Sequence, residues 1–219
     1  MSAGWLLQRG AGGGQRVSAA RQVADGADIG AAEIAMRAWG QRPLFRIGPG
    51  EEELDALLEQ RGYVLGDPTE ILAGSTQDVA ALSPAGREER AIFCAAALAC
   101  MVEIWGGLGV GPARLAVMDR APEPRVWLLG RSGDRPAGCA FAAMHEDVAM
   151  IHALAISTEA RRAGLGRAMS LAAARWALKQ GAGQFALAVT ENNAAARALY
   201  RGLGLRAVAR YHYRTAPEP

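Results

Sequence analysis

Residues 150–176 read MIHALAISTEARRAGLGRAMSLAAARW and join three local patterns in one run. Residues 150–156 are apolar and short enough for a buried strand. After a polar break, apolar side chains recur at helical spacing at Leu165, Met169, Ala172 and Trp176. The run therefore predicts a strand, a turn and a helix in that order.

The turn carries Arg161-Arg162-Ala163-Gly164-Leu165-Gly166. Glycines let the backbone approach a ligand closely, and the first N–H groups of a helix have no partner inside that helix. A helix N-terminus with two arginines beside it attracts phosphate. This turn is therefore predicted to bind a pyrophosphate.

Two other phosphate-binding designs share this outline but differ in spacing. A Walker loop needs Gly-Lys followed by Ser or Thr, whereas Gly166 is followed by Arg167 and Ala168. A dinucleotide fingerprint needs three glycines and an acidic residue about 20 positions later, and neither is clear here. What remains is Arg-x-x-Gly-x-Gly, carried by Arg161, Gly164 and Gly166.

A second pattern, NAAARALYRGLGL, occupies residues 193–205. Asn is a favourable N-cap, so Asn193 is predicted to begin a helix. Tyr200 follows seven residues later, almost two helical turns of about 3.6 residues, so both side chains lie on nearly the same face.

Together, and in this order, the two patterns resemble the GNAT superfamily of N-acetyltransferases over the chain from about residue 84. The C-terminal Tyr211-His212-Tyr213-Arg214 is similar to the closing strand of tandem GNAT proteins with a degenerate N-terminal domain. The resemblance implies an α/β (α+β) fold with a mixed, mostly antiparallel sheet flanked by helices. It implies acetyl-CoA as cosubstrate without a metal, bound by Leu154, Ala155, Ile156, Arg161, Arg162, Ala163, Gly164, Leu165, Gly166, Arg167, Asn193 and Tyr200. Arg162 departs from the family, which often has Gly there.

The resemblance also implies direct transfer of an acetyl group to an amine. Tyr200 is then the predicted general acid for the leaving thiolate, and backbone N–H groups at residues 154–156 would stabilise the carbonyl oxygen. The base is open among Glu146, His145 and His152, each of which could equally be structural. Glu146 is taken as the second catalytic candidate.

The order of predicted elements recurs along the chain as a faint internal repeat. Phe45 corresponds to Phe185 and Gly62 to Gly204, with two extra residues in the later copy. An equally good interpretation is that two α/β segments of similar length match by chance. If the repeat is real, residues 1–80 form a degenerate GNAT-like lobe and residues 81–219 the acetyl-CoA-binding domain. Asp25 and Asp28 would repel a pyrophosphate where the later copy has arginines.

Local sequence patterns predict the remaining helices and strands. Helices are expected at residues 29–39, 51–60 and 84–105, with a linker at 75–87. Strands are expected in the following segments: 4–8, 16–23, 43–47, 63–65, 70–73, 114–118, 125–130, 137–144, 184–189, 205–209 and 211–214.

Composition argues against several classes of function. The net charge is only +2, with 24 basic and 22 acidic residues, so no nucleic-acid footprint stands out. The longest apolar run, residues 91–102, is too short to span a bilayer, and no signal peptide is evident, so a cytoplasmic protein is expected. Three cysteines without a CxxC pattern argue against disulfides or zinc.

Two functional readings follow. The preferred one is an N-acetyltransferase that acts on a primary amine of a small molecule or peptide. The alternative is a non-catalytic GNAT-like scaffold that binds CoA or a partner. A homodimer is possible, but no pattern in the sequence fixes the oligomeric state or the amine acceptor.

Overall fold

The computed structural model describes residues 4–83 and 91–218. Its strands are β1 (Trp5–Leu6), β2 (Arg21–Gln22), β3 (Leu44–Ile47), β4 (Val64–Ser75), β5 (Ala91–Cys94), β6 (Arg125–Ser132), β7 (Arg135–His145), β8 (Val148–Ile156), β9 (Gln184–Thr190) and β10 (Arg206–Thr215). Its helices are α1 (Ile29–Ala38), α2 (Glu52–Gln60), α3 (Thr76–Ala81), α4 (Ala99–Gly106), α5 (Pro112–Asp119), α6 (Leu165–Lys179) and α7 (Ala194–Arg201). Within these two ranges, each helix is too short or too polar to cross a membrane.

Eight of the strands form one sheet in the order β3-β10-β4-β9-β8-β7-β6-β5. Every neighbouring pair is antiparallel except β8 and β9, which run parallel. A separate two-stranded ladder joins β1 and β2. The predicted fold class, a mixed and mostly antiparallel sheet flanked by helices, is confirmed.

Helix α6 packs on this sheet through a stripe of buried residues at four-residue spacing. Leu165, Met169, Ala173 and Ala177 are all at most 2% exposed. The contact with β6 is close: a Cβ added to Gly130 would lie 2.4 Å from the sulfur of Met169. The apolar periodicity of α6 therefore fixes which face meets the sheet, and with it the position of the α6 N-terminus.

The sheet opens between its two parallel strands. Residues 148–150 of β8 pair with residues 184–186 of β9, and the ladder ends there. Further along β8, Ala153 has φ +48° and the pairing with β7 shifts register, which is a β-bulge. The indole Nε1 of Trp105 donates to the carbonyl oxygen of Ala153 at 2.7 Å and holds the bulge in place.

The segments that suggested a repeat contain residues at one common offset in number. Gly62 and Gly204 both have positive φ after their helices, and they differ by 142 in number. With the same offset, Thr69 of β4 corresponds to Tyr211 of β10, and these two residues face one another in the sheet. In the sheet, β10 lies between β3 and β4, and β4 lies between β10 and β9. If the repeat is real, each copy exchanges its last strand with the other copy. The division into domains at residues 80 and 81 stays a prediction.

Two predictions in the central part of the chain are wrong. Residues 114–118 belong to helix α5 and not to a strand, because Pro112 stands at the first helical position after Gly111. The helix predicted over 84–105 is confined to α4, and residues 91–94 are strand β5, paired with β6. The part of that prediction at residues 84–90 lies outside the described residues.

Several predicted boundaries also shift. Strands predicted at 63–65 and 70–73 form the single strand β4, in which Asp67 has φ +47° at a register shift and not in a turn. Strands predicted at 205–209 and 211–214 likewise form the single strand β10. The predicted linker begins with helix α3, and the two N-terminal strands shorten to the two-residue pair β1 and β2.

Candidate active site

The turn before α6 has the backbone geometry of an anion-binding loop. Gly164 has φ +81° and ψ 0°, a left-handed conformation that glycine adopts without strain. No side chain within the described residues caps the helix, so its first N–H groups remain available to a ligand. Arg162, where the family often has Gly, also adopts a left-handed φ of +63°.

This turn borders a cavity of about 710 Å³, which we name the loop cavity. Its lining includes ten of the twelve predicted cofactor-binding residues: Leu154, Ala155, Ile156, Arg161, Arg162, Gly164, Leu165, Gly166, Arg167 and Asn193. As far as the described residues show, the other two, Ala163 and Tyr200, do not line it. The arrangement brings the strand end, the glycine turn and the α7 N-terminus to one space, while the binding roles stay a prediction.

The lining suits a phosphate group. Arg161, Arg162 and Arg167 form no ion pair with any described carboxylate, so their charges are uncompensated. Gly166 also lines the cavity, and a Cβ at this position would lie 3.5 Å from Leu199. Because Gly166 has no side chain, its backbone is accessible to a ligand. Positive charge and free N–H groups are the features that phosphate binding requires.

Asn193 lies at the N-cap of α7, as predicted. Its side-chain Oδ1 accepts a hydrogen bond from the backbone N–H of Ala196 at 3.1 Å. This bond leaves the side-chain NH₂ group of Asn193 as a donor for a ligand in the loop cavity.

Tyr200 lies in the core and is 4% exposed. Burial raises the pKa of its hydroxyl to about 12, and a hydrogen bond with Ser170 acts in the opposite direction. The Ser170 hydroxyl itself donates to the carbonyl oxygen of Gly166 at 2.8 Å. The hydrogen bonds of Ser170 therefore connect Tyr200 to Gly166 of the glycine turn.

The three candidate bases have very different surroundings. Glu146 and His145 lie at the β7–β8 turn, with side chains 85% and 87% exposed. His152 lies on β8, next to the bulge at Ala153, and lines a second cavity. Burial, together with the charges of Arg16 and Arg114, lowers the pKa of His152 to about 4, so this imidazole is neutral at pH 7.

This second cavity, of about 360 Å³, we name the arginine cavity. Residues from the N-terminal segment, α5 and five strands line it, among them Arg16, Asp67, Thr69, Arg114, Phe141, His152, Thr190 and Tyr213. It approaches the loop cavity where β8 leaves β9, because His152 lines one cavity and Ala153 the other.

Sequence patterns did not identify Arg16, Arg114 or Trp105 as parts of a site. Arg16 follows a glycine-rich turn, and Arg114 was expected on a strand. Neither sits in a motif, and the fold brings them together from distant parts of the chain. The Gly111-Pro112 pair was the available signal that Arg114 belongs to a helix.

Solved structures with the same fold include several acetyltransferases. A GCN5-related N-acetyltransferase from Kribbella flavida is 19% identical, with a TM-score of 0.64, over 93% of this chain and 82% of that one. A tandem GNAT protein from the clavulanic acid biosynthesis pathway is 15% identical, with a TM-score of 0.66, over 92% and 76%. A functionally unknown conserved protein from Staphylococcus epidermidis is 9% identical, with a TM-score of 0.71, over 100% and 93%.

No curated protein matches this chain at a significant level. Residues 97–205 match the family model described as "Acetyltransferase (GNAT) family". That range contains the glycine turn, the divergent strands and the Asn193 cap. Residues 97–205 of this chain therefore form a domain of the GNAT acetyltransferase family.

Proposed function

We propose that this protein is an N-acetyltransferase that moves an acetyl group from acetyl-CoA directly to a primary amine of a small molecule or peptide. The observation that carries the proposal is the uncapped N-terminus of α6 behind the left-handed Gly164, facing the loop cavity. That geometry supplies N–H donors to the pyrophosphate, with Arg161 and Arg162 beside them.

The divergence of β8 from β9 supports the same proposal. Beyond residue 150, β8 no longer pairs with β9, so a narrow ligand can pass between the strands. Backbone N–H groups in this part of a strand can donate to the acetyl carbonyl oxygen as negative charge develops. The bulge fixed by Trp105 holds the backbone of Leu154 and Ala155 at the cavity wall.

In the proposed reaction an unprotonated amine attacks the thioester carbonyl carbon. A C–N bond forms, the C–S bond breaks, the nitrogen loses a proton and the sulfur gains one. We propose Tyr200 as the proton donor to sulfur, although in this structure Tyr200 is 4% exposed and, within the described residues, does not line the loop cavity. Glu146 lies at an exposed turn, and its assignment as base has no geometric support here.

Thermal unfolding with and without acetyl-CoA tests the proposal. At 100 times its dissociation constant, a ligand that binds only the folded state stabilises it by about 2.7 kcal/mol. Gly164→Glu places a negative side chain at a left-handed position beside the proposed pyrophosphate and should abolish this effect. Gly133→Glu is the matched control, since Gly133 has φ +60° and nothing within 4 Å of an added Cβ.

Stabilisation of the parent and of Gly133→Glu, but not of Gly164→Glu, supports the loop cavity as the acetyl-CoA site. No stabilisation of the parent would refute the proposed function. Equal stabilisation of both variants would place acetyl-CoA elsewhere.

The alternative is a non-catalytic protein that binds CoA or a partner. The burial of Tyr200 outside the lining of the loop cavity favours it. Thiol release from acetyl-CoA in the presence of amines separates the two functions, because a binding protein produces no free thiol.

A further inference from the structure

Two arginines face the arginine cavity without a carboxylate partner. Among the described residues, the Arg16 guanidinium donates to neutral oxygens only, from Nε to Tyr211 Oη at 3.2 Å and from Nη2 to the carbonyl oxygen of Ala188 at 3.3 Å. Arg114 is half-buried and forms no ion pair in the described part of the chain. The cavity therefore holds two uncompensated positive charges.

The two charges act on one another. Burial, followed by the positive charge of Arg16, lowers the pKa of Arg114. Like charges gathered in a partly enclosed space are unfavourable unless an anion joins them. Asp67 also lines the cavity, but it is exposed and pairs with neither arginine within residues 4–83 and 91–218.

The wall of the cavity offers one further donor. Tyr213 is 2% exposed and lines the cavity, and no described residue, the neighbouring Tyr211 phenol included, meets its hydroxyl with full hydrogen-bond geometry. A buried hydroxyl without a partner is costly, and a bound anion would satisfy it. Guanidinium groups and a phenol O–H are suitable donors to a carboxylate or phosphate.

We propose that the acceptor is an amine that also carries an anionic group, carboxylate or phosphate, held by Arg16 and Arg114 in the arginine cavity. This inference rests on the proposed acetyltransferase function and specifies its substrate class. The anionic end is assigned to the two guanidinium groups.

The position of the cavity suits the amine end of such a molecule. His152 and Ala153 are consecutive and line the two cavities, and Thr190 lies at the end of β9, three residues before Asn193. An amine near His152 and Thr190 therefore lies at the opening between β8 and β9. A neutral His152 adds no third positive charge to repel an incoming ammonium group.

Anion binding is measured first, without acetyl-CoA. The full chain is titrated with sodium phosphate and, separately, with sodium acetate at constant ionic strength, and the imidazole NMR signal of His152 is followed. We expect saturable shifts with at least one anion, at least tenfold weaker binding in Arg114→Gln, and retention in Arg114→Lys. Arg135→Gln is the control, because Arg135 is exposed near the β6–β7 turn.

Acetyl transfer is measured next with matched amines. 4-Aminobutanoate is compared with butylamine, and O-phosphoethanolamine with ethanolamine. We expect kcat/KM to be at least tenfold higher for an anionic member than for its neutral partner, and the preference to disappear in Arg16→Gln and Arg114→Gln. The two pairs distinguish a carboxylate from a phosphate as the preferred group.

The outcomes separate this inference from the proposed function. Acetyl-CoA binding without anion binding, or with equal anion binding in Arg114→Gln, would overturn the inference and leave the acetyltransferase proposal standing. A consistent preference for the neutral amines would also overturn it. Anion binding without acetyl-CoA binding would refute the proposed function, and the acceptor assignment with it.

Discussion

Arg197 donates two hydrogen bonds to the buried Glu70, from Nε to Oε2 at 3.0 Å and from Nη2 to Oε1 at 3.3 Å. Glu70 lies on β4 with no exposed side-chain surface. Arg201 and Arg210 also bind its two oxygens, at 3.3 Å and 3.1 Å. Glu70 of β4 therefore connects α7 to the sheet.

This connection matters because α7 carries two residues of the proposed site. Arg197 lies one turn after Asn193 and one turn before Tyr200. Its hydrogen bonds to Glu70, together with one to the carbonyl oxygen of Glu191, orient the first turn of α7 relative to β9. Glu70 is thus a positioning residue for the loop cavity, without lining it.

Glu70→Gln is predicted to destabilise the protein and weaken acetyl-CoA binding. The amide cannot accept from three arginines, and the pKa of Glu70 is lowered chiefly by the hydrogen bond from Arg197. We expect the midpoint of thermal unfolding to fall by about 5 °C, since 1 kcal/mol corresponds to about 2–4 °C at this size. Glu53→Gln, at an exposed position of α2, is the control of equal charge change. An unchanged midpoint for Glu70→Gln would contradict the role.

The same relationship occurs a second time, at an offset of 142 residues and with the charges exchanged. The offset of 142 relates Gly62 to Gly204, and it also relates Asp55 to Arg197 and Glu70 to His212. His212 Nε2 lies 2.7 Å from Asp55 Oδ1, and Arg214 binds both Asp55 oxygens at 2.7 and 3.2 Å. Ion pairs therefore join β4 to α7 and β10 to α2.

Asp55 provides a prediction for acid stability. Its pKa is lowered to about 2 by the hydrogen bond from Arg214 and, to a lesser extent, by His212. A lowered carboxyl pKa adds stability above the unfolded value of about 3.9, and this stability is lost as the pH falls toward 2. Asp55→Asn should cost about 1–2 kcal/mol at pH 7, because a partly exposed ion pair is screened by water. The cost should shrink toward pH 2 in urea denaturation, and a pH-independent cost would contradict this account.

His152 predicts a second dependence on pH, in a different window. Burial and the charges of Arg16 and Arg114 lower its pKa to about 4. The unfolded chain, with a His pKa of about 6.5, therefore binds more protons between pH 6.5 and 4, and folding stability decreases as the pH falls through that window.

His152→Gln removes this titration, so its stability should decline less than that of the parent between pH 6.5 and 4. His145→Gln is the control, since His145 is 87% exposed at the β7–β8 turn. Parallel pH profiles for the parent and His152→Gln, measured by urea denaturation, would show that His152 is not held neutral by the fold.

The sequence-based predictions succeeded where the determining physics is local. The turn at residues 161–166 could be predicted because a left-handed Gly164, the charges of the arginines and the helical spacing of the apolar residues that follow are all short-range features. The N-cap at Asn193 could be predicted for the same reason. These segments could be predicted without knowing which strands become neighbours.

Long-range pairing explains what could not be predicted. Residues 91–94 lie in an apolar, alanine-rich run that favours a helix, yet they add an edge strand to β6. Nothing local indicates that β10 inserts between β3 and β4. The arginine cavity depends on that topology, because Arg16, Arg114 and Tyr213 come from three distant segments.

Tyr200→Phe tests the proposed general acid. With its pKa raised to about 12 by burial, the phenol is a weaker acid than a thiol of pKa about 8.5, so proton transfer is uphill as the site stands. The role requires the field of the bound site to lower that pKa. If it does, the substitution should reduce turnover by about 10²-fold at saturating acetyl-CoA, at the lower end of general acid catalysis.

Tyr63→Phe is the matched control for Tyr200→Phe. Tyr63 is 5% exposed, and its hydroxyl donates to Glu33 Oε1 at 2.9 Å, so both substitutions remove one hydrogen bond from a buried phenol. Each should cost about 1 kcal/mol of stability, while Tyr200→Phe alone should lose turnover. Equal turnover in both variants, measured as thiol release with an amine that the parent acetylates, would remove Tyr200 from the chemistry. Tyr200 would then be a core residue that supports the glycine turn through Ser170.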